Sequence, residues 1–272
     1  MPTTTIRERE IFYTITKPSS SSPSSPGQTI IFIHGLGSTS SYFYPIIPHL
    51  TSQNHTCITF DNYGAGLSPL SASHPQTSIT SIASDALALL DTLHIPRAVI
   101  VGYSMGALAA LSLAATHPTR VAALICLGPI NPANTDSLTT LRSRIDTITS
   151  SGLDPLATTI PATAPSKSAS PLVRAFIRAL LLSHSPAGYL ANLNALLTAS
   201  EPVYPHIRAP VYILVGEEDQ ACSPRDAQQM YLNLGNSALS KFDFVEDCGH
   251  WYCVERPEVV AGLVGEFVRA VT

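Results

Sequence analysis

A chain of 272 residues, 45 % hydrophobic and only 12 % charged, is large enough to bury one α/β core and an inserted cap besides. Soluble proteins average about 25 % charged residues, so this composition excludes a disordered chain. The net charge of −4 comes without any run of basic residues, which excludes an electrostatic footprint for nucleic acid and a polybasic membrane-binding segment.

The first residues, Met1-Pro2-Thr3-Thr4-Thr5-Ile6-Arg7-Glu8, hold no apolar core of the kind a signal peptide needs. No stretch approaches the length of a membrane span, and Arg269-Ala270-Val271-Thr272 carries no peroxisomal or lipidation signal. A cytoplasmic protein is expected. Residues 6–16 predict an antiparallel edge strand, and the Ser/Pro run at 19–27 predicts a surface loop. The apolar runs at 29–33 and 57–60 predict strands covered on both faces. Ile79, Ile82, Ala86, Leu89, Leu90 and Leu93 recur at helical spacing and predict a helix over 79–93. A strand at 98–102, a helix at 105–116 and a strand at 121–127 follow.

The alternation stops after Gly128. Residues 131–200 offer helical segments, best at 141–148, 172–183 and 189–199, punctuated by Pro155, Pro161, Pro165, Pro171 and Pro186. A strand at 211–215, a helix near 224–234, a strand at 242–245 and a last helix at 257–271 complete the chain. The pattern predicts an α/β fold with a mainly parallel central sheet flanked by helices. Its core is expected from residues 1–130 and 201–272, with a helical cap from 131–200. Cys57, Cys126, Cys222, Cys248 and Cys253 form no Cys-x-x-Cys pair, so neither a zinc site nor a disulfide framework is expected.

Chemistry enters at Gly102-Tyr103-Ser104-Met105-Gly106, between a predicted strand and a predicted helix. There the pentapeptide is a candidate nucleophile elbow, with glycines where strand and helix pass too close for a Cβ. Its bland reading is a strand-to-helix turn that contains a serine. Serine needs a base within hydrogen-bond reach, and the base needs an orienting acid. Asp219 follows the strand at 211–215, and His250 follows the strand at 242–245, which gives the order serine, acid, histidine. Glu217 and Glu218 compete for the acid role, and Asp247 lies close to the histidine in sequence. Acyl transfer also needs two donors aimed at the oxyanion. The backbone N–H groups of Leu36, in Ile33-His34-Gly35-Leu36-Gly37, and of Met105 are the candidates. His34 reads as a loop histidine that fastens this turn. Tyr103 and Trp251, beside the nucleophile and the base, are candidates to line a substrate pocket, or plain core.

His34-Gly35-Leu36-Gly37, the segment Asp61-Asn62-Tyr63-Gly64-Ala65-Gly66-Leu67-Ser68, the elbow, Asp219 and Gly249-His250 together resemble the α/β-hydrolase superfamily. The resemblance covers almost the whole chain outside 131–200. In the segment from Asp61 to Ser68 the family usually carries Arg and His where Asn62 and Tyr63 stand here, and no catalytic role is assigned to it. The Ser-Met pair of the elbow, the cap length and the run from Ser183 to Asn192 look most like 3-oxoadipate enol-lactonase-like hydrolases.

The resemblance implies a serine hydrolase that cleaves a small or medium carboxylic ester or lactone through an acyl-enzyme on Ser104, without metal or organic cofactor. A largely apolar cap suits such a small-molecule substrate. Arg142, Arg144, Arg174 and Arg178 are candidates for binding a substrate carboxylate, against a solvated helix face as the bland alternative. Three rivals share the fold: a C–C bond hydrolase or lyase with the same triad, a receptor that turns over a small lactone slowly, and a non-catalytic structural relative, against which the complete triad argues.

Overall fold

Continuous apolar runs become the inner strands of one eight-stranded sheet, seen in a computed structural model that describes residues 2–18, 27–132, 135–234 and 239–272. All but Gly27 of the Ser/Pro run at 19–27 lies outside the described residues. In chain order the strands are β1 (Thr3–Ile6), β2 (Arg9–Thr16), β3 (Thr29–Ile33), β4 (Thr56–Phe60), β5 (Ala98–Tyr103), β6 (Val121–Leu127), β7 (Val211–Gly216) and β8 (Lys241–Val245). Their order in space is β1-β2-β4-β3-β5-β6-β7-β8, antiparallel at β1 and β2 and parallel from β4 to β8. Every residue of β5, β6 and β7 is buried, because helices cover both faces.

The edge departs from the expected single strand over 6–16. Arg7 and Glu8 adopt φ of 50° and 65°, and this tight turn folds Thr3–Ile6 back onto β2 as a hairpin. Turns with two left-handed residues usually announce themselves through Asn or Gly; this one uses neither.

The core helices are α1 (Ile47–Ser52), α2 (Ile79–Thr92), α3 (Met105–Thr116), with α8 (Pro224–Asn233), α9 (Tyr252–Glu255) and α10 (Pro257–Val271) after the insertion. Ser78 and Ser81 cap α2 reciprocally, each side chain accepting the other's backbone N–H. Helix α3 is apolar nearly all round, as its burial behind the sheet requires.

Among the described residues between β6 and β7 come four α-helices, α4 (Thr135–Ser151), α5 (Asp154–Thr163), α6 (Pro171–Leu182) and α7 (Pro186–Leu197). Pro171 and Pro186 are first residues of helices, a position whose N–H has no intrahelical acceptor. Helix α5 was not expected, since Pro155 and Pro161 both fall in it. Pro155 sits in its first turn. Pro161 sits inside, where it removes the hydrogen bond to the Ala157 carbonyl. The Arg178 guanidinium, from α6, donates to that carbonyl at 3.1 Å. Among the described residues, no helix is long and apolar enough to cross a membrane.

Candidate active site

Strands β3, β5, β7 and β8 run parallel, so their C-terminal ends open on one side of the sheet, where ligands of open α/β sheets collect. The loops at those ends carry the residues singled out by sequence. Ser104 joins β5 to α3 with φ 55° and ψ −118°, a strained conformation for a residue with a side chain. The turn is this sharp because strand and helix nearly touch. A Cβ on Gly102 would lie 2.5 Å from the Ala107 Cα, and one on Gly106 would collide with the Ile33 carbonyl.

Ser104 Oγ lies 3.0 Å from His250 Nε2, and His250 Nδ1 lies 2.8 Å from Asp219 Oδ2. All three residues are buried, at 6 %, 8 % and 5 % exposure, so their mutual bonds compete little with water. Asp219 Oδ1 accepts the N–H groups of Ala221 (2.7 Å) and Cys222 (2.8 Å), which fixes the plane of its carboxylate. Burial alone would raise the Asp219 pKa. The His250 charge outweighs it, together with hydrogen bonds from His250, Tyr252 and the Cys222 amide, and holds the carboxyl below its ordinary value.

Its rivals are engaged elsewhere. Glu218 accepts the Lys167 N–H, Glu217 accepts the Asp247 N–H at 3.4 Å, and Asp247 pairs with Arg256 in solvent. One partner of Asp219 escaped sequence reasoning. The Tyr252 hydroxyl, fully buried, donates to Asp219 Oδ2 and accepts the Gly216 N–H. Nothing about a tyrosine two residues past a histidine marks it in the sequence.

The loop after β3 abuts Ser104: a Cβ on Gly35 would lie 2.8 Å from the Ser104 Cβ. Leu36, next in the chain, lines the cavity beside Ser104. Met105 is the first residue of α3, where an amide has no intrahelical acceptor, and its side chain is buried in the core. His34 fastens this loop. Its Nδ1–H donates to the Gly35 carbonyl, and its Nε2 accepts the Asn62 N–H. Burial lowers its pKa, offset only in part by Asp61, so the ring is held neutral. Asp61 accepts the amides of Ser40 and Leu67 and ties two core loops together.

A cavity of about 300 Å³ opens onto Ser104 and His250. Core residues Leu36, Tyr103 and Trp251 form one wall, and Leu141, Ile160 and Leu181 of the helical insertion form the other. Tyr103 stacks on Tyr42, with centroids 4.2 Å apart, and is rigid on that account. Trp251 is 2 % exposed, and its indole N–H has no hydrogen-bond partner among the described residues. Of the four arginines considered for a substrate carboxylate, Arg144 lines this cavity. Arg174 donates to the carbonyls of Pro161, Ala162 and Ser166, Arg178 to that of Ala157, and Arg142 is exposed.

A model of the "Alpha/beta hydrolase family" matches residues 30–263. RutD of Stutzerimonas stutzeri (strain A1501), assigned by name to carbamate hydrolysis, is 26 % identical over 226 residues, covering 79 % of this chain and 83 % of its own. The enol-lactonase from Burkholderia xenovorans LB400 superposes with a TM-score of 0.81 at 24 % identity, over 98 % of this chain and 100 % of that one. A thermophilic esterase from Thermogutta terrifontis gives a TM-score of 0.85 at 22 % identity, over 97 % and 94 %. At such identities the structural likeness establishes the fold.

Proposed function

The chain belongs to the alpha/beta hydrolase family, and from that premise we propose that it is a serine hydrolase cleaving a small or medium carboxylic ester or lactone. The observation that carries this reading is the unbroken line from Ser104 through His250 to Asp219 at one wall of a largely apolar cavity.

In this reading Ser104 Oγ attacks the substrate carbonyl carbon while His250 Nε2 takes the hydroxyl proton. Asp219 holds the other ring nitrogen in its N–H form and stabilises the imidazolium. The oxyanion accepts the N–H groups of Leu36 and Met105; one such donor stabilises the transition state by about 3 kcal/mol in serine hydrolases. His250 returns its proton to the leaving oxygen as the C–O bond breaks, leaving an acyl group on Ser104. Water then attacks that acyl carbon, its proton passing to His250, and the acid departs as Ser104 recovers its proton. No step calls for a metal or an organic cofactor.

Residues 131–200 serve as the cap that shapes the pocket, and residues 1–130 and 201–272 as the catalytic core. Tyr103 and Trp251 form a rigid wall against the acyl or alcohol part. Arg144 is the cation placed to attract an anionic substituent of the substrate. The five free, buried cysteines suit a reducing compartment such as the cytoplasm.

Steady-state assays on aryl esters, enol-lactones, a carbamate and a vinylogous diketone test the proposal. Multiple turnover on an ester or lactone is expected, with a loss of about 10³-fold or more in Ser104→Ala. Turnover of the diketone alone would move the reading to C–C bond cleavage. A burst of one product per protein would move it to a slow lactone receptor.

A further inference from the structure

A charged side chain outside the triad holds the backbone on both sides of His250. Glu255 closes the short helix α9 and folds its carboxylate back toward the preceding loop. Oε1 accepts the N–H of Trp251 at 2.8 Å. Oε2 accepts the N–H of Gly249 at 3.0 Å and that of Ser166 at 2.7 Å. The first bond alone would be the reach-back that satisfies an open N–H at a helix start. Three amides on one carboxylate exceed that role, because two of them flank His250 and the third comes from the linker between α5 and α6.

The same linker grips His250 directly, since the His250 backbone N–H donates to the Ala164 carbonyl at 3.0 Å. No gap remains between the two segments. A Cβ on Gly249 would lie 2.5 Å from the Ser166 nitrogen and 2.6 Å from the Ala164 carbonyl oxygen. A carboxylate accepting amide hydrogens forms shorter and stronger bonds than a neutral acceptor does. The imidazole has only two side-chain torsions of its own, so the position of its backbone decides whether Nε2 meets Ser104. Catalytic geometry tolerates about 0.5 Å of error.

We propose that Glu255 is a positioning residue: it fixes the backbone around His250 and ties the alignment of that ring to the seating of the helical insertion on the core. Lifting the linker would take away the Ala164 carbonyl from His250 and the Ser166 amide from Glu255 together. The base is therefore aligned only when the pocket is roofed. This inference rests on the serine-hydrolase reading for its effect on rate, but its structural half stands apart from turnover.

Glu255→Gln tests it. The amide keeps one acceptor oxygen and turns an NH₂ group toward amides that need acceptors. In the folded variant, kcat on an ester substrate is expected to fall about 10- to 100-fold with KM within about threefold. The rate of labelling by a fluorophosphonate should fall in parallel. The downfield proton resonance of the His250 Nδ1–H should shift or broaden. A folded variant with kcat and labelling rate within twofold of wild type overturns the proposal. If Glu255→Gln does not fold, Ser166→Pro removes the linker's N–H together with the hydroxyl that bonds Ser168, and Ser166→Ala, which removes the hydroxyl alone, is its control: a several-fold loss of kcat relative to Ser166→Ala supports the proposal, and equal kcat in the two overturns it. If the wild type neither turns over nor labels, the hydrolase reading has failed. The His250 resonance then decides alone, and an unmoved signal in the variant overturns the role of Glu255.

Discussion

At the scale of the residue, Asp219 is held more firmly than His250 or Ser104. Asp219 accepts four hydrogen bonds, from His250, Tyr252, Ala221 and Cys222. Asp219→Asn keeps the shape but turns an NH₂ toward the imidazole and favours the wrong tautomer. A loss of about 10⁴-fold in kcat is expected, with the fold retained, checked by steady-state kinetics and circular dichroism. Tyr252→Phe removes one donor from Asp219 and strands the buried Gly216 amide. Urea denaturation should show a loss of about 1–3 kcal/mol, accompanied by a lower kcat. Ser104, Asp219 and His250 were legible in the sequence because each follows an apolar run at a strand end. Tyr252 and Glu255 were not. They act from a four-residue helix, through a hydroxyl and a carboxylate whose targets appear only when distant loops meet.

At the scale of the element, glycine and proline account for both the readable and the unreadable parts. The elbow was readable because Gly102 and Gly106 stand where a strand and a helix cross without room for a Cβ. Gly106→Ala would drive its methyl into the Ile33 carbonyl. A destabilisation of about 1–3 kcal/mol or more is expected, measured by urea denaturation. Helix α5 was unreadable because Pro161 forbids it locally and a residue 17 positions later, Arg178, compensates by occupying the stranded Ala157 carbonyl. Ala157 is buried, so Arg178→Met leaves its carbonyl without a donor from that side chain. Global stability should fall by about 1–2 kcal/mol, and protease cleavage within 131–200 should rise. The hairpin at β1 escaped for a similar reason, its left-handed turn being built from Arg7 and Glu8. The prolines at 171 and 186 looked like breaks and are helix starts, a difference that depends on which side of the residue the helix lies.

At the scale of the whole molecule, the parallel sheet followed from the alternation of apolar runs, whereas the packing of the insertion on the core did not. That packing buries His184, in the turn between α6 and α7, edge-on to Tyr189. Burial, with the neighbouring His34 acting in the same direction, pushes its pKa down to about 4. The unfolded chain then binds a proton below pH ~6.5 that the folded protein refuses, so stability is greatest above that pH and declines as pH falls toward 4. The decline due to His184 amounts to about 3 kcal/mol at most. Melting temperatures between pH 7 and 4.5 should fall less steeply in His184→Asn than in wild type. An identical slope would mean that His184 does not couple protonation to folding.

The central claim is that Ser104 is an activated nucleophile. Intact-mass measurement after incubation with a fluorophosphonate tests it most directly. One adduct per folded chain is expected, mapped to Ser104 by peptide sequencing, absent in Ser104→Ala and slowed by orders of magnitude in His250→Ala. A folded wild-type protein that takes up no label, or takes it up equally well without Ser104, would contradict the account.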